Sequence, residues 1–160
     1  MNSRGKAARA VYKHILVPTD GTPLSLKAVR AAARLARPLG ARITTMHVLI
    51  PFVPPPNHEA MMYRIGYGTR EYERDMAQLA DKALARAAAV AAAAGPGVKL
   101  DSVRVAMANP WQAIIATARA KKCDLIVMAS HGRRGLEALI IGSETQKVLT
   151  HSKTPVLVCR

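Results

Sequence analysis

The chain reads as one α/β domain, a five-stranded parallel sheet with helices on both faces. Three observations predict it. Short apolar runs alternate along the chain with longer segments of helical periodicity. The runs Ile15-Leu16-Val17 and Leu125-Ile126-Val127-Met128 are apolar throughout rather than at every second position, as strands buried on both faces are. Glycine-bearing turns follow both runs. Strands alternating with helices build a parallel sheet covered on both sides, and 160 residues allow a single domain with a real core.

Each element follows from local chemistry. His14 to Pro18 is a short buried strand, closed by the turn cluster Pro18-Thr19-Asp20-Gly21. Residues 25–39 carry Ala28, Ala32, Leu35 and Leu39 at helical spacing, and Gly40 is the expected stop. Residues 42–50 give a second buried strand. Pro51, Pro54, Pro55 and Pro56, with Gly66 and Gly68, exclude a regular element over most of 51–68. A loop that long covers a pocket or a partner, or packs down on its own surface. Residues 69–94 form a long helix with Met76, Ala80, Ala83, Ala87 and Val90 inward, ended by Gly95-Pro96-Gly97.

Residues 98–107 alternate, as a strand near a sheet edge does. Asn109-Pro110-Trp111-Gln112 has a capping Asn, Pro at the first helical position and Gln three residues after the cap. The helix it opens turns Ile114, Ile115 and Ala118 inward and ends in Arg119, Lys121 and Lys122. Residues 124–130 are the fourth strand, 143–152 the last helix and 155–158 the fifth strand.

Composition sets bounds. No stretch approaches the ~18 apolar residues of a membrane-spanning helix. The basic N-terminus lacks the apolar core of a secretory signal, so residues 1–11 read as an arm before a domain over 12–160. Cys123 and Cys159 make no metal-ligand spacing, and a reducing cytoplasm is the simplest setting. The net charge of +14 raises polyanion binding. Yet Lys27, Arg30, Arg34 and Arg37 form one stripe along a single helix, which reads as a solvated face. No aromatics interleave with them as a single-strand binder would need.

The candidate site lies near the C-terminus. Ala129-Ser130-His131-Gly132 is followed by nine residues and then Gly142-Ser143. Strand, glycine loop, helix is the order in which main-chain N–H groups wrap an anion. Ligands of parallel sheets bind beyond the C-terminal strand ends where strand order reverses. The loops after the first and fourth strands would meet there if those strands are neighbours. Plainer readings stand beside this one. Ser143 and Gln146 would also make a capping box, Asp20 could simply close its turn, and Met128 could be core. Trp111 reads as an anchor for its helix, and Arg133 and Arg134 as a solvated pair.

Val17-Pro18-Thr19-Asp20, His47-Val48, Met128-Ala129-Ser130-His131-Gly132, Gly142-Ser143, Lys147-Val148-Leu149 and Pro155-Val156-Leu157-Val158 together resemble the universal stress protein family, over about residues 12–160. The resemblance implies strand order 3-2-1-4-5 in a Rossmann-like, adenine nucleotide alpha hydrolase-like fold. It implies an ATP site, with or without Mg or Mn, drawn from Pro18, Thr19, Asp20, Val48, Met128, Ala129, His131, Gly132, Gly142, Ser143, Glu144 and Thr145. In it Gly132, Gly142, Ser143 and Thr145 hold phosphates, Asp20 lies near the ribose or a metal, and the Val48 backbone lies near the adenine. ATP-binding members carry Gly-x-x-Gly-(nine residues)-Gly-Ser/Thr, and here Ala129 stands in the first glycine's place. If that position needs a positive φ, Ala costs roughly 1 kcal/mol or more; if it needs only close approach, a methyl group fits. The resemblance further implies a homodimer through strand 156–159. A nucleotide-free adaptor and a slow ATPase are the alternatives. Efficient hydrolysis is not expected without a P-loop lysine or a second acid beside Asp20.

Overall fold

The computed structural model describes residues 11–52, 69–131 and 141–160. Its elements are β1 (His14–Pro18), α1 (Pro23–Leu39), β2 (Arg42–Leu49), α2 (Thr69–Ala94), β3 (Leu100–Ala106), α3 (Pro110–Ala120), β4 (Leu125–Ala129), α4 (Ser143–His151) and β5 (Val156–Cys159). The five strands form one parallel sheet in the order β3-β2-β1-β4-β5. The expected arm is described only at Val11, most of the Pro-rich 51–68 segment lies outside the described residues, and so do Gly132, Arg133 and Arg134.

Strand alternation sorts the core into two layers. Ile15, Val17, Ile43, Leu125, Val127 and Ala129 face α1 and α2, where Ala28, Val29, Ala32, Ala33 and Ala36 meet Ala87 and Ala91. Leu16, Met46, Ile126 and Met128 face the other way, onto Ala113, Ile114 and Ala118 of α3 and Val148 of α4. Alanine on both α1 and α2 lets the two helices approach closely. At Gly95 an added Cβ would lie 2.6 Å from the Ala33 carbonyl oxygen.

Helix ends show how the sequence signals were used. α1 starts two residues before the expected 25–39: Thr22 Oγ1 accepts the Ser25 N–H at 3.2 Å and Pro23 follows the cap. Gly40 ends it at φ 62°, donating to the Ala36 and Arg37 carbonyls. The two expected capping boxes do not form. Asn109 makes no cap bond, because its Nδ2 donates to Gln112 Oε1 at 3.2 Å. The N–H of Trp111 goes instead to Glu144 Oε2 at 2.9 Å, so α4 caps α3 across the helix pair. Ser143 is the first residue of α4 rather than its cap. Gly142 holds the cap position, with no side-chain cap bond.

His14 is a buried, satisfied core histidine. Its Nδ1–H donates to the Lys121 carbonyl at 3.0 Å and Nε2 accepts from Thr44 Oγ1 at 2.8 Å. Burial, then the Arg42 charge, lowers its pKa below the ordinary histidine value.

Candidate functional site

At the C-terminal end of the sheet, β1 and β4 part. Their ladder covers Ile15↔Leu125 and Leu16↔Ile126 only. By contrast β1 stays paired with β2 through Pro18↔Met46, and β4 with β5 through Ala129↔Cys159. The crevice between them is the place where strand order reverses and where ligands of such sheets enter.

One wall is the turn after β1. Thr19 donates its N–H to Met46 O at 2.9 Å, and its carbonyl accepts from His47 Nδ1 at 2.9 Å. Its hydroxyl pairs with Ser25 Oγ at 3.0 Å. Asp20 Oδ1 accepts from both the N–H (3.0 Å) and the hydroxyl (2.6 Å) of Thr22. These bonds fix the carboxylate at the start of α1. Gly21 follows with φ 77°, and a Cβ there would meet Ala83 Cβ at 2.9 Å. The turn therefore needs glycine for its conformation and for its contact with α2.

The facing wall is the end of β4 and the start of α4. Ser130 N–H donates to Cys159 O at 2.8 Å, and the Ser130 carbonyl accepts the Gly142 N–H at 2.7 Å. That second bond pinches together the two ends of segment 131–141. Gly142 has φ −60° and ψ 149°, a conformation open to any residue. Its glycine is required by contact instead: a Cβ would sit 3.1 Å from His131 Cα and Cβ and 3.3 Å from Ser130 O. Beyond Gly142, α4 presents its first-turn N–H groups, which no side chain among the described residues caps.

Ala129 lies inside β4, and among the described residues the positive-φ non-glycine position is Lys122. The backbone here is extended, so alanine in place of the first glycine carries no φ strain. Its methyl group packs with Val17 and Val127 on the α1 side. Met128 projects the other way, into the layer that Val48 also packs against, and strand alternation puts Pro18 on that side as well.

The structure thus brings Pro18, Thr19, Asp20, Ala129, His131, Gly142 and Ser143 to one end of the sheet, with Met128 as core beneath them. Two predicted residues are committed within the protein. Thr145 is 3 % exposed and donates its hydroxyl to Ala129 O at 2.9 Å. That leaves its N–H, not its hydroxyl, for a ligand. Glu144 accepts from Trp111 N–H and from Lys147 Nζ at 3.2 Å. Two contributors escaped the sequence reading: His47 as the clamp on Thr19, and Ser130 as the acceptor that closes the neck. His47 acts through its side-chain Nδ1 on a main-chain carbonyl and Ser130 through its own main-chain carbonyl, and the motifs that contain them give neither role. Among the described residues no group of three His, Cys, Asp or Glu side chains could hold a metal ion.

A model described as the universal stress protein family matches residues 11–160. A universal stress protein of Methanocaldococcus jannaschii is 29 % identical over all of this chain and 89 % of its own length. One from Thermus aquaticus is 30 % identical over 94 % of this chain and all of its own. Among solved structures, a hypothetical protein of M. jannaschii superposes with a TM-score of 0.74 at 24 % identity, over 92 % of this chain and 95 % of its own. A universal stress protein in complex with cAMP gives 0.59 at 26 %, over 92 % and 95 %. One from Archaeoglobus fulgidus in complex with dAMP gives 0.65 at 18 %, over 94 % and 99 %.

Proposed function

The chain belongs to the universal stress protein family, and from that premise we propose that residues 12–160 form an ATP-binding regulatory module, with the nucleotide lying in the crevice between β1 and β4. The observation that carries this reading is the uncapped N-terminus of α4 at the mouth of that crevice. Among the described residues no side chain caps the three first-turn N–H groups there, at Ser143, Glu144 and Thr145, whereas α1 is capped by Thr22 and α3 by Glu144. Helix N-termini attract phosphate through these donors and through the positive end of the macrodipole.

The cAMP and dAMP complexes of relatives share an adenine and a phosphate, which supports an adenine nucleotide as ligand class. The extended backbone of Ala129 and the burial of its methyl on the α1 side support a nucleotide site that accepts alanine in place of the first glycine. Gly132 would complete the phosphate loop, and the Val48 backbone would line the adenine side. If ATP brings Mg²⁺ or Mn²⁺, Asp20 is the residue to share it, and the ion would neutralise phosphate charge there. The module holds nucleotide rather than turning it over efficiently, because Asp20 supplies one carboxylate and is itself tied to Thr22.

We further propose a homodimer through antiparallel pairing of β5. It is an edge strand with Leu157 43 % exposed, and unpaired edges of this kind recruit a second strand. The free thiols Cys123 and Cys159 suit a reducing compartment such as the cytoplasm.

Isothermal titration with ATP and Mg²⁺ tests the reading, using wild type beside Gly142→Val. Saturable heat in the wild type and none in the variant is the expected pair of results. No heat from the wild type up to millimolar ATP would overturn the nucleotide reading and leave the dimeric adaptor.

A further inference from the structure

We infer that the opposite, N-terminal end of the sheet carries a second ligand site, one for a linear condensed-phosphate anion. A cavity of about 380 Å³ opens there, lined by Lys13, Arg37, Arg42 and Lys99 together with Gly40 and Gly97. The four cations come from four places in the fold that the backbone locks together. Arg42 N–H donates to Lys13 O at 3.0 Å, and Ile43 N–H to Lys99 O at 2.8 Å. Lys13, Arg42 and Lys99 therefore stand at the starts of three adjacent strands, about 4.8 Å apart from one strand to the next. Arg37 reaches the same cavity from the last turn of α1.

Like charges this close repel unless something neutralises them. The ion pairs among the described residues lie elsewhere, at Arg74–Asp75, Arg104–Asp81 and Lys147–Glu144. Asp124 is the acid beside Lys13, its two oxygens accepting the main-chain N–H groups of Lys13 (2.8 Å) and His14 (3.0 Å), and it sets one negative charge against the four cations. Lys121 adds a further positive charge in the same neighbourhood. The C-terminal dipole of α1 opposes an anion with only about half a charge.

The shape of the basic surface selects the ligand. Arg37 continues outward into the exposed residues Arg34, Arg30 and Lys27 along α1, a track of roughly 15 Å at 1.5 Å per residue. A chain of charges fits it better than a single ion. The described aromatics are occupied elsewhere: Tyr12 on the core, Phe52 on Tyr72 and Trp111 on His151. A base-bearing strand would find nothing to stack on, so a phosphate chain without bases is the match.

The test titrates inorganic polyphosphate into wild type, Arg42→Gln/Lys99→Gln, Lys13→Gln/Arg37→Gln and the control Lys82→Gln/Arg86→Gln, whose residues are exposed on α2 and do not line the cavity. Thermal melts confirm folding, and either cavity pair suffices if the other fails to fold. Seven contacts, four in the cavity and three along the track of Arg34, Arg30 and Lys27, predict a log–log salt slope of about −5, which each cavity pair should reduce to about −3.5. Each cavity pair should lose at least tenfold in affinity, the control less than twofold, and saturating ATP should leave binding in place. An equal loss in the control would make the effect one of bulk charge and overturn the site. Displacement by ATP would overturn its separateness. Equal affinity for single-stranded DNA of matched charge would overturn the base-free ligand.

Discussion

Replacing Gly142 with alanine perturbs the neck of the candidate site and nothing else. The φ of −60° is ordinary, so the penalty is steric. The new Cβ would lie 3.1 Å from two His131 carbons, while carbon atoms prefer about 3.5–4.0 Å. The neck must open by roughly half an ångström. The Gly142 N–H to Ser130 O bond, 2.7 Å long, would then stretch toward about 3.2 Å, the limit of good geometry. Overpacking of this kind costs about 1–3 kcal/mol, and the stiffer unfolded chain returns about 0.4–1 kcal/mol. A net loss of about 1–2 kcal/mol corresponds to a fall in Tm of about 2–8 °C for a chain this size. The first-turn N–H groups of α4 move with Gly142. Weakening one hydrogen bond to a charged phosphate, worth about 1.5–3 kcal/mol, lowers ATP affinity about tenfold to a hundredfold. Scanning fluorimetry and isothermal titration read the two effects. Wild-type Tm would refute the tight neck. A lowered Tm with wild-type affinity would refute its link to the nucleotide.

Four further outcomes follow from the packing. Gly95→Ala puts a Cβ 2.6 Å from the Ala33 carbonyl oxygen, a backbone atom that cannot rotate aside. It should lose about 2–3 kcal/mol in urea unfolding with ATP affinity unchanged, since α1–α2 packing is remote from the α4 terminus. Glu144→Ala removes the cap on Trp111 N–H and should cost about 1 kcal/mol, again with little change in ATP affinity; a large affinity loss would show that its carboxylate serves the ligand. Because burial and Arg42 lower the pKa of His14, the unfolded chain binds a proton before the native one does. Stability should therefore fall as pH drops below about 6.5 toward the depressed native value, and urea midpoints at pH 7.5 and 5.5 should differ less in His14→Gln. Cys123, pushed up to about 11 chiefly by burial, acts at the other end. There the unfolded thiol ionises first, so stability should fall as pH rises above about 9.

The sheet was legible because its strands are continuous apolar runs separated by helices of clear periodicity. The resemblance supplied the order in which the strands pair, which periodicity alone leaves open. What local sequence could not give was the choice among competing polar partners. Asn109 and Ser143 both stand in capping patterns, yet Asn109 bonds Gln112 and Ser143 lies one residue inside its helix. The partner that won, Glu144, is thirty-three residues from Trp111. The Ala129 question was likewise undecidable in sequence, because it turns on φ and on which face of β4 the methyl occupies. Thr145 has the residue type of a phosphate ligand, and only the fold shows its hydroxyl spent on Ala129 O.

The central claim is most directly tested by amide NMR of the full chain titrated with ATP and Mg²⁺. The account predicts the largest shift changes at Ser143, Glu144 and Thr145, with smaller ones at Asp20 and Val48 and none at Lys13, Arg42 or Lys99. Shifts confined to the Lys13, Arg42 and Lys99 end, or none at millimolar ATP, would contradict it.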